Sequence, residues 1–453
     1  MKHLDRREFI KLSTAALGGI ILTGCGVGSG GGGSATPTNF PNGYRFYRVK
    51  QAGGTVRTGS GNFRIDKFFG STNISSNGMV VFDAVDTNKR RGLFQLALDF
   101  DSCAPRIASE RAAFLSGQEL ADGRIVRAVK GYDTDDRGNI AAVLEADSTR
   151  CDHYGSGLYV DLEQSGFLPL LVAGDTFNEG QSTCNGLFGD VSLQGSRVLA
   201  TAGHQLETAQ TATPQESLIH IYNFNPSSLG ILMSKNDPIP ETDHKLSAFG
   251  LLDLNDGGTY SAALFAKSPS PSATNSTNTA APSASFNIRG NIATPLEPEI
   301  MTASPNSGFN GISAVGAAGY GTRIGPDGAI YSVVGNGDDM TILKDQETIL
   351  GTGTETSTGK LLGVSTGSVG ADGLYYYTAI TEQGSQVLMS VYAYDGQTHT
   401  PLISTGDVLS DGGAPVEQIL FGTSASHVDS EGRLVFLCAF RDQTTALVVG
   451  VPC

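Results

Sequence analysis

Histidine, cysteine and clustered carboxylates are the side chains in this sequence that could bind a metal or carry a proton. The histidines after residue 24 are His153, His204, His220, His244, His399 and His427, and no two stand at i, i+2 or i, i+4. The paired imidazoles that a local metal motif needs are therefore absent. His427 and Asp429 come nearest to an acid–base pair, although their setting reads as a surface loop. Asp133-Thr134-Asp135-Asp136-Arg137-Gly138 offers alternating oxygens like the start of a calcium loop. It lacks the downstream bidentate Glu, and its glycine also serves a hairpin. Asp253, Asn255 and Asp256 repeat that ambiguity, while Asp338 and Asp339 read as a solvated turn. A nucleophile elbow needs G-x-S-x-G between a strand and a helix, and no convincing helix is present to receive one. The reading predicts no catalytic residue, no metal ligand and no cofactor; a site could arise only from residues that the fold brings together.

One cysteine has a defined chemistry ahead of it. Asp5-Arg6-Arg7-Glu8-Phe9-Ile10-Lys11 resembles the twin-arginine export consensus in Arg6, Arg7, Phe9 and Lys11, with Asp5 and Ile10 as departures. Residues 12–24 are short and mildly apolar; as a helix they would span roughly 20 Å, against a hydrocarbon layer of about 30 Å. They read as the apolar region of a signal peptide rather than an anchor. The stretch ends on Leu22-Thr23-Gly24-Cys25, which resembles the lipobox of bacterial lipoproteins. Small residues there admit the peptidase, and the Cys25 sulfur takes diacylglycerol before cleavage. Residues 26–43 contain the run Gly30–Gly33 and no bulky apolar core. They form a flexible tether with a mean span of roughly 20–25 Å. The expected organisation is a signal peptide over 1–24, a lipid-anchored linker over 25–43 and a folded domain over 44–453.

Export places the remaining cysteines, Cys103, Cys151, Cys184, Cys438 and Cys453, in an oxidising compartment where disulfides persist. Cys438 and Cys453 lie on neighbouring predicted strands and can pair. Cys103, Cys151 and Cys184 offer three alternatives that spacing does not rank. Without residues 1–24 the chain carries 26 Lys and Arg against 43 Asp and Glu, a formal charge of −17. Such a field repels phosphate backbones, so nucleic acid is not an expected partner.

The elements that would position these groups repeat. A polar turn ending in glycine and followed by an apolar run recurs at Gly78, Gly138, Gly195, Gly257, Gly328, Gly373 and Gly432, at spacings of 60, 57, 62, 71, 45 and 59 residues. Each is a hairpin signal. A second strand follows several of them, as in Gly92-Leu93-Phe94 and Gly157-Leu158-Tyr159. A third ends in Gly-Asp, as in Pro169 to Asp175 and Pro401 to Asp407. About four strands per unit is the content of a propeller blade. The seventh unit stops at Ala446–Gly450 with no room for an outer strand, and Tyr44–Gly54 matches the missing piece. The expected fold is therefore all-β: a seven-bladed β-propeller closed by the N-terminal strand, with a flexible N-terminal tether. Residues 268–283, rich in Ser, Pro, Thr and Asn, read as a loop inserted in the fourth unit.

The repeated unit resembles the tandem repeat of exported bacterial propeller proteins with interchangeable surface anchors, over roughly residues 44–450. That resemblance implies an extracytoplasmic propeller and contributes no catalytic residue. Tryptophan is absent, which argues against the propellers that stack sugars or quinones on indole faces. The expected function is a membrane-anchored binding or scaffold propeller of the periplasm or cell surface, presenting a loop face to a protein or glycan. The alternative is a hydrolase or lyase with carboxylates gathered at the propeller's channel mouth.

Overall fold

The computed structural model describes Thr38 and residues 43–59, 61–148, 154–177, 181–206, 213–267, 284–305, 322–336, 339–421 and 427–453. Arg6, Arg7, Phe9, Lys11, the lipobox Leu22-Thr23-Gly24, Cys25, most of the linker and the insertion at 268–283 lie outside the described residues. So do Cys151, His153 and Asp338.

Seven antiparallel sheets follow one another along the chain, and they are the blades of a seven-bladed β-propeller. Blade 2 shows the basic plan, with strands Arg124–Thr134, Ile140–Ser148, Tyr154–Asp161 and Phe167–Leu171 in sequence order. Blade 7 takes three strands from the C-terminal end, Val416–Leu420, Leu434–Phe440 and Thr445–Pro452, and its outer strand is Tyr44–Gln51. Tyr44 pairs with Pro452 and Gln51 with Ala446. The N-terminal strand completes the last blade, and the sheet edge that would otherwise invite pairing with another chain is covered. Blades 6, 7 and 1, with the turn Thr134–Gly138, form one compact unit, and blades 2 to 5 form another.

The repeat seen in the sequence is a repeat of hydrogen bonds. In six blades a turn between successive strands closes with the glycine N–H donating to the carbonyl three residues earlier: Gly78 to Ser75, Gly138 to Asp135, Gly258 to Asn255, Gly328 to Gly325, Gly373 to Gly370 and Gly432 to Asp429, at 2.8–3.2 Å. All six glycines have φ of 74–82°, a conformation with a steric penalty for any residue bearing a Cβ. In the fourth blade the turn glycine is Gly258, one residue beyond the expected position. Neighbouring turns are also hooked together. In the first unit Arg433 Nη2 donates to the Ser76 carbonyl and Ser76 Oγ to Asp136 Oδ1, and in the second Gln194 Nε2 donates to Asp256 Oδ1.

The Gly-Leu-aromatic strands have a packing cause. A Cβ on Gly157 would sit 2.5 Å from the Tyr159 ring and 2.8 Å from Val172, and one on Gly92 2.6 Å from the Phe94 ring. Each ring lies flat across its glycine, which shields the exposed backbone and fixes where the ring's far end points. The run Tyr375-Tyr376-Tyr377 is fully buried strand packing, as its β propensity implies.

The third strands end sooner than expected, at Leu171 and Ser404, and the Gly-Asp that follows belongs to a corner leading into the next blade. Three corners share one length and one bonding pattern: 172–184, 234–246 and 404–416. In each, an Asp carboxylate (Asp175, Asp237, Asp407) accepts the N–H of the residue three before it at 2.7–2.8 Å. The same aspartate's carbonyl accepts the N–H of Cys184, Leu246 or Val416 at 2.8–3.0 Å. The residue before it (Gly174, Asn236, Gly406) has φ of 74–99°.

The disulfide joins Cys103 to Cys453, with Cα atoms 5.7 Å apart, while Cys438 is buried and free. The pairing of Cys438 with Cys453 expected from the sequence is corrected by register. Cys438 opposes Ala446, so Cys453 lies seven residues further along its strand, roughly 23 Å away at about 3.3 Å per residue. That distance carries it past the strand's end to the loop after Arg91–Asp99 of blade 1. The bond closes a span of 350 residues. Replacing Cys103 with Ser should therefore lower the unfolding free energy by about 2–5 kcal/mol, measured by denaturant titration. Replacing Cys438 with Ser should leave the number of disulfides unchanged. A lost disulfide in that second variant would restore the original pairing.

Candidate functional site

The residues singled out from the sequence are mostly committed to structure. His427 and Asp429 are both buried rather than on a surface loop. Asp429 receives Arg433 Nε at 2.5 Å and the N–H groups of Glu431 and Arg433 at 2.9 Å. His427 Nδ1 lies 3.3 Å from Thr72 Oγ1 and 3.2 Å from the Val435 carbonyl. Asp429 forms the turn of blade 7, and its bonds to Arg433 and two backbone N–H groups offset the cost of burying its charge. The oxygens of the calcium-like run are likewise taken: Asp133 accepts Leu193 N at 2.9 Å, Asp135 accepts Arg137 N at 3.0 Å, and Asp136 accepts Ser76 Oγ at 2.8 Å. Among the described residues no group of three or more His, Cys, Asp or Glu is placed to hold a metal.

His204 and Ser217 make a buried pair that spacing did not suggest. His204 Nε2 lies 2.7 Å from Ser217 Oγ, which lies 2.7 Å from Ser234 Oγ. Both His204 and Ser217 are fully buried, and burial lowers the His204 pKa. A serine pair at the same place in blade 6, Ser390 Oγ to Ser404 Oγ at 2.7 Å, has no histidine partner. The serine link thus recurs at this corner with and without a histidine.

In the second unit, aspartates on the first strands of successive blades form a ladder. Asp133 accepts the N–H of Leu193, Asp190 that of Leu252 at 2.9 Å, and Asp253 that of Ile324 at 2.8 Å. Arg323, 1% exposed, is the cation that acts on both Asp190 and Asp253. Burial pushes Asp190 up to about 6 and Asp253 up to about 7, against the pull of Arg323. Among the described residues the charge of Asp133 raises both further, which favours keeping a proton there.

An open concavity of the second unit lies elsewhere, at the corner from blade 2 to blade 3. It is a cleft of about 620 Å³, within the range of ligand sites. Asp122, Arg124 and Asp175 face it beside apolar Leu170, Phe177 and Pro226. Arg124 donates from Nη2 to the Ala173 carbonyl at 3.1 Å, and its Nε lies 3.5 Å from Asp122 Oδ2. Tyr159, laid across Gly157, donates its hydroxyl to Asp122 at 3.0 Å. Burial, then the charge of Asp122, holds that phenol protonated far above its ordinary range. Beside the cleft's apolar wall the Cys184 thiol is pushed up to about 11 by burial, which disfavours its thiolate. Sequence reasoning reached Gly157-x-Tyr159 and the Gly174-Asp175 corner but not Asp122 or Arg124. Those two sit on the first hairpin of blade 2, and only the fold brings them to the corner.

The carboxylate ladder sets a pH dependence. A folded pKa above the unfolded value near 3.8 means stability that is full below about pH 4 and lost as pH rises through about 7. Buried His204 and half-buried His220, whose pKa values are lowered, act the other way below about 6.5, so the test is a difference. Asp253→Asn should be no more stable than the natural chain at pH 5 and gain on it steadily up to pH 8, followed by thermal melts. A difference that does not change with pH would show that Asp253 is ionised throughout.

No family model matches this chain, and no curated protein does. Solved structures do match across most of its length. They include the Dos1 propeller, with 10% identity and a TM-score of 0.36 over 87% of this chain and 80% of that one. A streptogramin B lyase matches with 12% identity and a TM-score of 0.37, over 89% and 97%. YCF48 from Cyanidioschyzon merolae matches with 12% identity and a TM-score of 0.40, over 90% and 99%. The propeller assignment rests on the seven sheets themselves.

Proposed function

We propose that this chain is an extracytoplasmic lipoprotein, held to a membrane by lipid on Cys25, whose propeller binds a protein or glycan at the cell envelope. The observation that carries the binding reading is the cleft at the corner from blade 2 to blade 3. It combines apolar walls with an Arg–Asp pair on well-bonded corners, the mixture that orients a ligand without reacting with it. The anchoring reading is supported by the order Arg6-Arg7, apolar stretch, Leu22-Thr23-Gly24-Cys25 and glycine-rich linker. This reading calls for no cofactor and no nucleic acid. A hydrolase built on carboxylates is the second reading, and Asp190 and Asp253 have the raised pKa values it would need. Their oxygens accept backbone N–H groups of the next blade, which favours binding over catalysis.

Native mass spectrometry of protein gently extracted from its own envelope tests the proposal. The expected species begins at a diacylglyceryl Cys25, and Cys25→Ser should move the protein to the soluble fraction. An intact residue 1–24 in the mature protein would sink the anchor, and a bound metal or organic cofactor would sink the reading of a simple binding module.

A further inference from the structure

The three corners of equal length differ at the residue after their aspartate: Thr176, Pro238 and Val408. In the corner 404–416 that residue holds a piece of the linker. Thr38 N–H donates to the Val408 carbonyl at 2.9 Å, and Val408 N–H donates to Thr38 Oγ1 at 2.8 Å. The Thr38 hydroxyl also bonds the Asp407 carboxylate. Backbone and hydroxyl of one extended residue are thus read by Asp407 and Val408.

The corner 172–184 shares the aspartate bonds of the corner 404–416. Cys184 N–H donates to the Asp175 carbonyl and Thr176 opposes Thr183. The alternation of an antiparallel ladder then turns the N–H and C=O of Thr176 away from its partner strand, while Val408, which lies outside any strand, presents its N–H and C=O to Thr38. Thr176 and Asp175 are exposed, and both line the cleft. In the corner 234–246 the equivalent residue is Pro238, which has no N–H to offer.

We propose that the Asp175–Thr176 edge and its cleft bind an extended peptide carrying a serine or threonine, supplied by a protein partner, as the corner 404–416 binds Thr38. The ligand's N–H bonds the Thr176 carbonyl. Its hydroxyl accepts from Thr176 N–H and donates to Asp175, and its flanking side chains meet Phe177 and Arg124. This is strand addition at a short edge, in which main-chain bonds give affinity and the cleft gives selectivity. The inference deepens the binding-module reading and rests on it.

The test uses the mature chain and a fluorescent synthetic peptide of residues 34–42, Ser-Ala-Thr-Pro-Thr-Asn-Phe-Pro-Asn. Anisotropy should show saturable binding. Thr176→Pro, which copies the proline its sister corner already accommodates, should weaken that binding at least tenfold. Val408→Pro should leave binding at the cleft intact, and a peptide with Val in place of the threonine equivalent to Thr38 should bind at least tenfold more weakly. In the unaltered protein, hydrogen exchange of the Thr176 amide should slow when peptide is added. Equal binding by the Thr176→Pro protein, no slowing of that amide, or occupation of the cleft by an oligosaccharide would each overturn the proposal. A native partner recovered equally well with the Thr176→Pro protein would overturn this site and leave the binding-module reading standing.

Discussion

In the second unit, a buried carboxylate that accepts a backbone N–H from the following blade is the bond on which the rest depends. A first strand must come close to its neighbour, and the neighbour's N–H groups on that side have no ladder partner. Leaving one unsatisfied away from water costs about 1–3 kcal/mol. Asp133, Asp190 and Asp253 meet the need at Leu193, Leu252 and Ile324. The remedy brings its own difficulty, because Asp190 and Asp253 are desolvated and feel the charge of Asp133, against the pull of Arg323. Desolvation and mutual repulsion raise the pKa values of Asp190 and Asp253, so the blade linkage and the weakened acidity have one cause.

The first unit solves closure by other means. Its outer strand comes from the far end of the chain, and a polar knot secures it. Tyr44 donates to the Gly432 carbonyl at 2.6 Å, and Tyr376 donates to Asp372 Oδ2 at 2.7 Å, with the two phenol oxygens 3.4 Å apart. Burial pushes Tyr44 up to about 12, so the knot stays neutral on the tyrosine side. Arg48 adds a bond to Asp411 at 2.9 Å and stacks over Phe440. The Cys103–Cys453 disulfide then fastens the chain end to blade 1. Strand pairing, knot and disulfide act on the same seam, where an N-terminal strand would otherwise be free to leave.

How much of this was legible follows from the range of each signal. The turn glycines, the glycine-aromatic strands and the missing outer strand of blade 7 are local patterns, and the sheets reproduce them. Pairings across register were not legible. Neighbouring strands suggested Cys438 with Cys453, yet the antiparallel offset that sets Cys438 against Ala446 is fixed by the turn at Asp442–Thr444 and not by proximity in sequence. Burial of polar loops was also hidden. His427 and Asp429 look like surface residues until Arg433 supplies the second half of an ion pair. The cleft was half visible, since Gly174-Asp175 belongs to the repeat whereas Asp122 and Arg124 come from a hairpin some fifty residues earlier.

The corners show how a repeat can hold its fold constant and still differ in what it offers. Each keeps the aspartate, because that carboxylate and carbonyl close the turn and start the next strand. The following residue takes part in neither bond, so folding leaves it free to vary. Proline there silences the edge, valine lends it to the linker, and threonine leaves it open above a cleft with charge at one side and apolar walls at the other. Variation at a position that folding does not constrain is where a structural repeat can acquire a site without losing a blade. For that reason the residue after the corner aspartate tells more about binding in this chain than the aspartate itself.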